Sequence, residues 1–473
     1  MLSLPRIVLT ALILFGIANT SECASLDPSS PLDAGGNDQL DPFRTAGSGW
    51  TFTSSGTSSI GEPVDLTWSI APDGTNMPRG LGEPASPSNL VTFLDGIHHG
   101  GASPGGADLT QRDWFPLIES TFERWDAVSG VNFTYEPNDD GAPISSANRG
   151  ILGTRGDHRI SGHSIDGQIS PTFLAYNFFP NYADMVIDTD EINRWGNDEG
   201  NFIRFRNMMM HETGHGLGLR HLESSDADFL MEPFLATTFD GPQLDDILGM
   251  HRLYGDANEE NGGNDTYQNA TPLGKFWPGK SRSFGTDAAD AVVEFEDTDF
   301  LSIDDDSDTD FFRFTVKTPS LVDLTLTPQG PTYQEGRQGG TQSPFDTSAQ
   351  SDLILSVFDS DGTSLLEFAN DNGSGMSEEI SDLRLDSPGE YFVKIQGMQN
   401  AAQFYQLDID VDFAFPRDPF NLFDQFFDHF NPFDRVEDAL DRIELLTSYF
   451  VPEPSSGLLL LSGLAFCGYR RRR

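Results

Sequence analysis

Residues 210–221 read Met210-His211-Glu212-Thr213-Gly214-His215-Gly216-Leu217-Gly218-Leu219-Arg220-His221, and three of the nine histidines of the chain fall within them. His211 and His215 are four apart, which on an α-helix stacks them on one face. Two imidazoles so placed can reach one Zn²⁺ at ordinary Zn–N distances of about 2.0–2.1 Å. Glu212 is turned about 100° from His211, near such a metal but badly placed to bind it, where a general base belongs. His221 lies six residues past His215, and an unbroken helix would carry it to the far side. Gly218 lacks a Cβ and takes φ > 0 readily, so the spacing predicts a helix that stops there and a chain that swings His221 back. Three neutral imidazoles leave a fourth position open, as in catalytic rather than structural zinc sites. The predicted chemistry is hydrolytic. Zinc lowers the pKa of a water from 15.7 toward about 7, and Glu212 takes its proton and hands it to a leaving amine.

Outward from this segment the pattern predicts a helix from Phe202 to Leu217 and another from Asp245 to Tyr254, closing a unit at Gly255. Upstream, Val64–Ile70 alternates as a strand does, and Phe133–Tyr135 and Met185–Asp188 read as further strands. Trp114, Leu117, Ile118, Phe122 and Trp125 recur at helical spacing, with Pro116 early enough to cost little. Residues 72–106, rich in Gly and Pro, read as a long surface loop. Strand, helix, strands, helix, helix is an α+β order. His158 and His163, near Asp157 and Asp166, are further metal candidates, though loop histidines more often serve as hydrogen-bonding groups.

The extended pattern resembles the metzincin zinc peptidases, and the matrixin branch in particular. The resemblance implies a catalytic domain with a twisted sheet and with active-site and C-terminal helices over residues 64–256. It implies that Met231, in Phe229-Leu230-Met231-Glu232-Pro233, floors the zinc site, and that residues 243–255 form the closing helix. Asp188 and Glu191 match calcium ligands of that family, so the resemblance adds Ca²⁺ to the catalytic Zn²⁺. Tyr176 and Val186 stand where the family carries histidines for a second, structural zinc. Two more residues than usual separate His221 from Met231, with Leu222 in place of a small polar residue.

Past Asp256 the texture changes. Residues 257–264 read as a polar linker, and residues 265–412 as an all-β sandwich built of short alternating runs at 311–316, 322–326, 353–358, 391–395 and 405–409. Asp308-Thr309-Asp310-Phe311-Phe312-Arg313-Phe314 and Ser387-Pro388-Gly389-Glu390-Tyr391-Phe392 resemble the bacterial pre-peptidase C-terminal domain. The aspartates from 304 to 310 are a second calcium candidate, against a plain solvated acidic loop.

Both ends read as signals. Residues 1–24 carry Arg6, an apolar run from Ile7 to Ile17 and then small residues, the form of a cleaved signal peptide. Residues 25–63 read as a flexible leader and 413–450 as a Phe/Asp-rich tether. Residues 451–473 pair Pro452-Glu453-Pro454 with an apolar run and four arginines. They resemble the PEP-CTERM sorting tail of Gram-negative bacteria, which implies exosortase-type machinery, transient membrane contact and export to the envelope or beyond. Both cysteines, Cys23 and Cys467, lie in these segments, so no thiol is expected to keep a zinc site silent.

With 74 acidic against 28 basic residues, a net charge of −46 argues against nucleic-acid binding. The expected partner is a protein or peptide substrate. The competing account is an envelope or extracellular-matrix adhesion protein with an inactive zinc-peptidase fold.

Overall fold

A computed structural model describes residues 22–23, 45–47, 49–98, 106–167, 173–260, 262–289 and 292–414. The C-terminal signal and the tether from residue 415 on lie outside the described residues. So does the N-terminal signal, except Glu22–Cys23, which pair antiparallel with Phe234–Leu235.

The first part of the chain builds a five-stranded sheet from β1 (Val64–Ile70), β2 (Val131–Tyr135), β3 (His158–His163), β4 (Ala175–Asn177) and β5 (Met185–Asp188), in the order β2-β1-β3-β5-β4. The pairs β1–β2, β1–β3 and β3–β5 are parallel, and only the edge strand β4 runs against its neighbour. Strands buried on both faces suit parallel pairing, and six of the seven residues of β1 are buried. Helices α1 (Leu90–His98), α2 (Phe115–Ala127) and α3 (Ile203–Leu217) follow in chain order, then the two-residue strand β6 (Leu222–Glu223) and helix α4 (Leu244–Tyr254). Trp68, Phe115, Phe122, Ile160, Met185 and Phe205 share one core between sheet and helices.

Helix α1 corrects the sequence, which places a loop throughout 72–106. Leu90 and Leu94, one turn apart, are fully buried, and the carboxylate of Asp73 accepts the N–H groups of Val91 and Thr92, both at 2.9 Å. The apolar stripe is only two residues deep among glycines and prolines, too short for periodicity to reveal.

The second part is a β-sandwich. One sheet has the order β8 (Lys280–Phe284), β18 (Gln403–Phe413), β11 (Ser320–Pro328), β16 (Glu378–Leu385), with β9 (Leu301–Ile303) also paired to β18. The other runs β15 (Leu365–Ala369), β14 (Leu353–Phe358), β17 (Gly389–Gly397), β10 (Thr309–Val316), β7 (Thr271–Phe276). Val322, Leu324, Leu407 and Ile409 of the first sheet and Leu355, Val393 and Ile395 of the second meet in one core, as alternating inward residues require.

The expected linker is no free tether. Asn264 is buried, its side chain donates to Asp310 Oδ1 at 2.8 Å, and its carbonyl accepts the N–H of Phe311. Met250, Leu253 and Tyr254 share a core with Phe300 and Phe404 of the sandwich. His251 of α4 faces Ser302 Oγ at 2.8 Å and the carbonyl of Val128 at 2.7 Å. Part of the leader needs the same correction: Trp50 is 2% exposed in the core and Ser54 donates to Asp157, while residues 25–44 and 48 lie outside the described residues.

One hairpin leaves the sandwich. Its strands are β12 (Thr332–Arg337) and β13 (Ser343–Asp346), and β12 adds antiparallel to β6 beside His221, with Gly336 opposite Glu223 and Arg337 opposite Leu222.

Candidate metal centre and active site

From Phe205 to Leu217 every residue of α3 is buried, including Arg206, Asn207, His211, Glu212, Thr213 and His215. A buried helix carrying this much polarity must satisfy it locally or use it chemically. Asn207 is satisfied locally: it donates to the carbonyls of Phe239 (2.8 Å) and Ala236 (3.0 Å) and accepts from Gly241 N.

The end of α3 decides where His221 goes. Gly218 sits at φ 113°, a left-handed conformation that a Cβ opposes, and its N–H reaches the carbonyls of Gly214 and His215 at 3.0 Å. The last carbonyls of a helix lack intrahelical donors, and here distant residues supply them. Trp50 Nε1 donates to Gly216 O at 2.9 Å, Tyr254 Oη to Leu217 O at 2.5 Å, and Ala46 N to Gly218 O at 2.7 Å. The chain then reverses and delivers His221 to the other two rings.

The three imidazoles converge on a point. His221 Nε2 lies 3.3 Å from His211 Nε2 and 3.1 Å from His215 Nε2. Each Nδ1 faces an oxygen: Leu230 O at 2.7 Å for His211, Leu219 O at 2.8 Å for His215 and Gln338 Oε1 at 3.0 Å for His221. A backbone carbonyl can only accept, so Nδ1 of His211 and of His215 carries the proton and Nε2 of each presents a lone pair; with Gln338 Oε1 as its acceptor, His221 adopts the same tautomer. Three lone pairs crowded together have no donor among themselves. A cation satisfies them, and tetrahedral zinc would set its nitrogen ligands about 3.3–3.4 Å apart. Burial, reinforced by His221, pushes His211 down to about 3 and His215 well below the usual histidine range, which keeps both rings neutral.

Met231 packs against the helix at Gly214, between His211 and His215. A Cβ on Gly214 would meet Met231 Sδ at 2.6 Å, so the glycine lets helix and thioether touch. Asp246 of α4 fixes the turn: its carboxylate accepts from Leu230 N at 2.7 Å, Met231 N at 3.0 Å and Gln243 N at 2.8 Å. Asn177, on the edge strand β4, donates to the backbone carbonyl of Glu212, whose side chain is wholly buried.

A matrixin domain is found here. The Matrixin family model matches residues 103–255, and the model of the bacterial pre-peptidase C-terminal domain matches residues 308–397. The hatching enzyme of Paracentrotus lividus is 34% identical over 151 residues, 32% of this chain and 24% of that protein. Matrix metalloproteinase-B of Caenorhabditis elegans is 28% identical over 181 residues, 32% of this chain and 33% of that protein. The chain thus spans about a quarter to a third of the length of the curated relatives it matches. Among solved structures, the pre-peptidase C-terminal domain of Bacillus anthracis collagenase covers 30% of this chain and 96% of its own, at 13% identity and a TM-score of 0.17, too low to bear on the fold.

A matrixin domain implies zinc, and the chemistry of the three histidines fits it. Calcium at Asp188 and Glu191 has less behind it. Among the described residues two trios bring their ligand atoms within 4.8 Å of one another, His211/His215/His221 and Glu259/Asp265/Asp308, and Asp188 and Glu191 are in neither. Glu191 Oε2 accepts from Arg194 Nε at 2.7 Å, and Asp188 Oδ1 accepts from Ile165 N and Asp190 N. Burial holds Asp188 up at about 6. Where the matrixin family carries a histidine, Tyr176 donates its hydroxyl to Glu83 Oε1 at 3.0 Å, and the same oxygen lies 3.3 Å from His163 Nε2. His158 and His163 are the first and last residues of strand β3, not loop residues. The ring of His158 is buried edge-on against Phe122, and burial pushes it down to about 3.

The acidic run at 304–310 is not a plain solvated loop either. Glu259, Asp265 and Asp308 gather their carboxylates, and Glu259 is pushed up to about 11 by burial and then by Asp310, Asp256, Asp308 and Asp265. Oxygen-only ligands of that charge suit a hard cation.

The sequence missed Asp246, Trp50 and Gln338. Asp246 had a signal, since it is the N3 residue of a capping box with Gln243. The other two act across 166 and 117 residues and left none.

Proposed function

We propose that the chain is an exported zinc-dependent endopeptidase in which His211, His215 and His221 hold the metal and Glu212 is the general base. The single observation that carries this is that His221 Nε2 lies 3.3 Å from His211 Nε2 and 3.1 Å from His215 Nε2, with an oxygen beside each Nδ1, next to the helix that bears Glu212. Zn²⁺ bound there supplies Lewis acidity, lowering the pKa of a water and polarising a peptide carbonyl. Glu212, adjacent to His211 in sequence and turned about 100° from it, takes the proton of the attacking water and delivers it to the departing amine. Gly218 sets the reversal, and Met231 supports the rings from below. Export rests on the signal-like ends of the sequence.

The test is metal analysis and casein hydrolysis by the purified full chain. One zinc per chain, with hydrolysis lost to a chelator and restored by Zn²⁺, supports the proposal. Stoichiometric zinc with no cleavage across a broad peptide library would point to an adhesion protein with an inactive site.

A further inference from the structure

The three rings do not draw their support from one place. The acceptors for His211 and His215 are backbone carbonyls of Leu230 and Leu219, close by in the matrixin domain. The acceptor for His221 is a side-chain oxygen 117 residues away, Gln338 Oε1, at the tip of the hairpin from the β-sandwich.

That hairpin is anchored by side chains. Tyr333 is buried, donates its hydroxyl to Asp245 Oδ1 at 2.5 Å, and packs against Phe229 at 5.0 Å between ring centroids. Gln334 N donates to Asp226 Oδ1 at 2.8 Å and Gly339 N to Glu223 Oε2 at 3.0 Å. Together with the β12–β6 pairing, these contacts clamp residues 222–229. Gly339 is bound by its backbone on one side of Gln338, and Arg337 is paired to Leu222 on the other, so the tip is held where Gln338 meets the ring.

We infer that the sandwich completes the metal centre: Gln338 is a positioning residue that fixes the tautomer and orientation of His221 as the third ligand. The inference rests on the zinc reading above. An acceptor at Nδ1 holds the proton there, aims Nε2 at the metal and raises its basicity, and loss of such a partner typically costs 10–100-fold in metal affinity. Gln338 is exposed, and water competes for an exposed hydrogen bond, so the expected loss is at the lower end, roughly tenfold. The sandwich is then part of the active site and not merely an appendage to it.

The test uses the full chain with Gln338→Met, which keeps the length of the side chain but not the acceptor, and Gln338→Glu, which keeps an acceptor. Zinc dissociation constants are measured by competition with a chromophoric chelator, alongside visible spectra of the Co²⁺-loaded chains and metal-free melting curves. Gln338→Met should weaken zinc binding roughly tenfold and change the Co²⁺ spectrum at an unaltered metal-free melting temperature. Gln338→Glu should restore both the affinity and the spectrum. Wild-type affinity and an unchanged spectrum in Gln338→Met would overturn this inference alone. A Gln338→Glu chain as weak as Gln338→Met would also overturn it, by assigning the loss to hairpin structure. A wild-type chain that takes up no zinc would overturn the zinc reading and this inference with it.

Discussion

Trp50 Nε1 donates to the carbonyl of Gly216 at 2.9 Å, although 166 residues separate them. The indole is 2% exposed and closes one of the carbonyls that α3 leaves open at the turn leading to His221. One residue of the segment expected to be flexible thus supports the end of α3. Trp50→Ala removes a large buried ring and a hydrogen bond, and should cost about 3–5 kcal/mol of stability. Denaturant unfolding of the full chain reads that loss directly. Trp50→Phe, which keeps most of the ring but not the donor, should lose distinctly less.

Asp246 binds three backbone N–H groups from a fully buried position. Asp246→Ala leaves all three without their acceptor, and hydrogen bonds to a charged group are the strong ones. A loss of about 2–4 kcal/mol is expected, together with weaker zinc retention because the turn at Met231 is freed. Melting temperature and zinc stoichiometry of the variant check both effects.

Gly218 holds φ at 113°. Gly218→Ala should destabilise the chain by about 1–2 kcal/mol. Its larger effect should fall on zinc affinity, since relaxing the backbone toward negative φ carries His221 away from the other two rings. Chelator competition distinguishes the two, because a purely global loss of stability would leave the affinity of the folded chain unchanged.

Much of this was legible in the sequence because it is local. His211, Glu212 and His215 are fixed relative to one another by one helical turn, and Gly218 by the demand of a reversal. The five sandwich strands that alternate cleanly, such as Val322–Leu326, could be read off period two. The missing strands and α1 are short and broken by Gly, Pro or charge, so tertiary packing had to define them. Trp50 and Gln338 belong to another class. Each is an ordinary residue whose role comes from a contact more than a hundred residues distant, and nothing in its own neighbourhood marks it.

Glu259 is pushed from 4.5 up to about 11 by burial and by the carboxylates around it. A carboxyl whose pKa is raised on folding binds its proton more tightly in the folded state. Its contribution to stability is therefore full below 4.5 and is lost as pH rises toward about 11. In the presence of a chelator the melting temperature should fall between about pH 6 and about pH 8. Glu259→Gln should flatten that fall, and added Ca²⁺ should oppose it in the wild type only. A pH-independent melting temperature in chelator would contradict the buried-carboxylate account.

Glu212 is proposed to move the proton at a zinc held by three histidines. The most direct measurement is peptide hydrolysis by the zinc-loaded full chain carrying Glu212→Ala, with zinc counted in the same sample. The expected result is one zinc per chain and a fall in kcat of at least about 100-fold, the contribution typical of a positioned acid–base group. Equal turnover by the variant and the wild type, at equal zinc content, would contradict it.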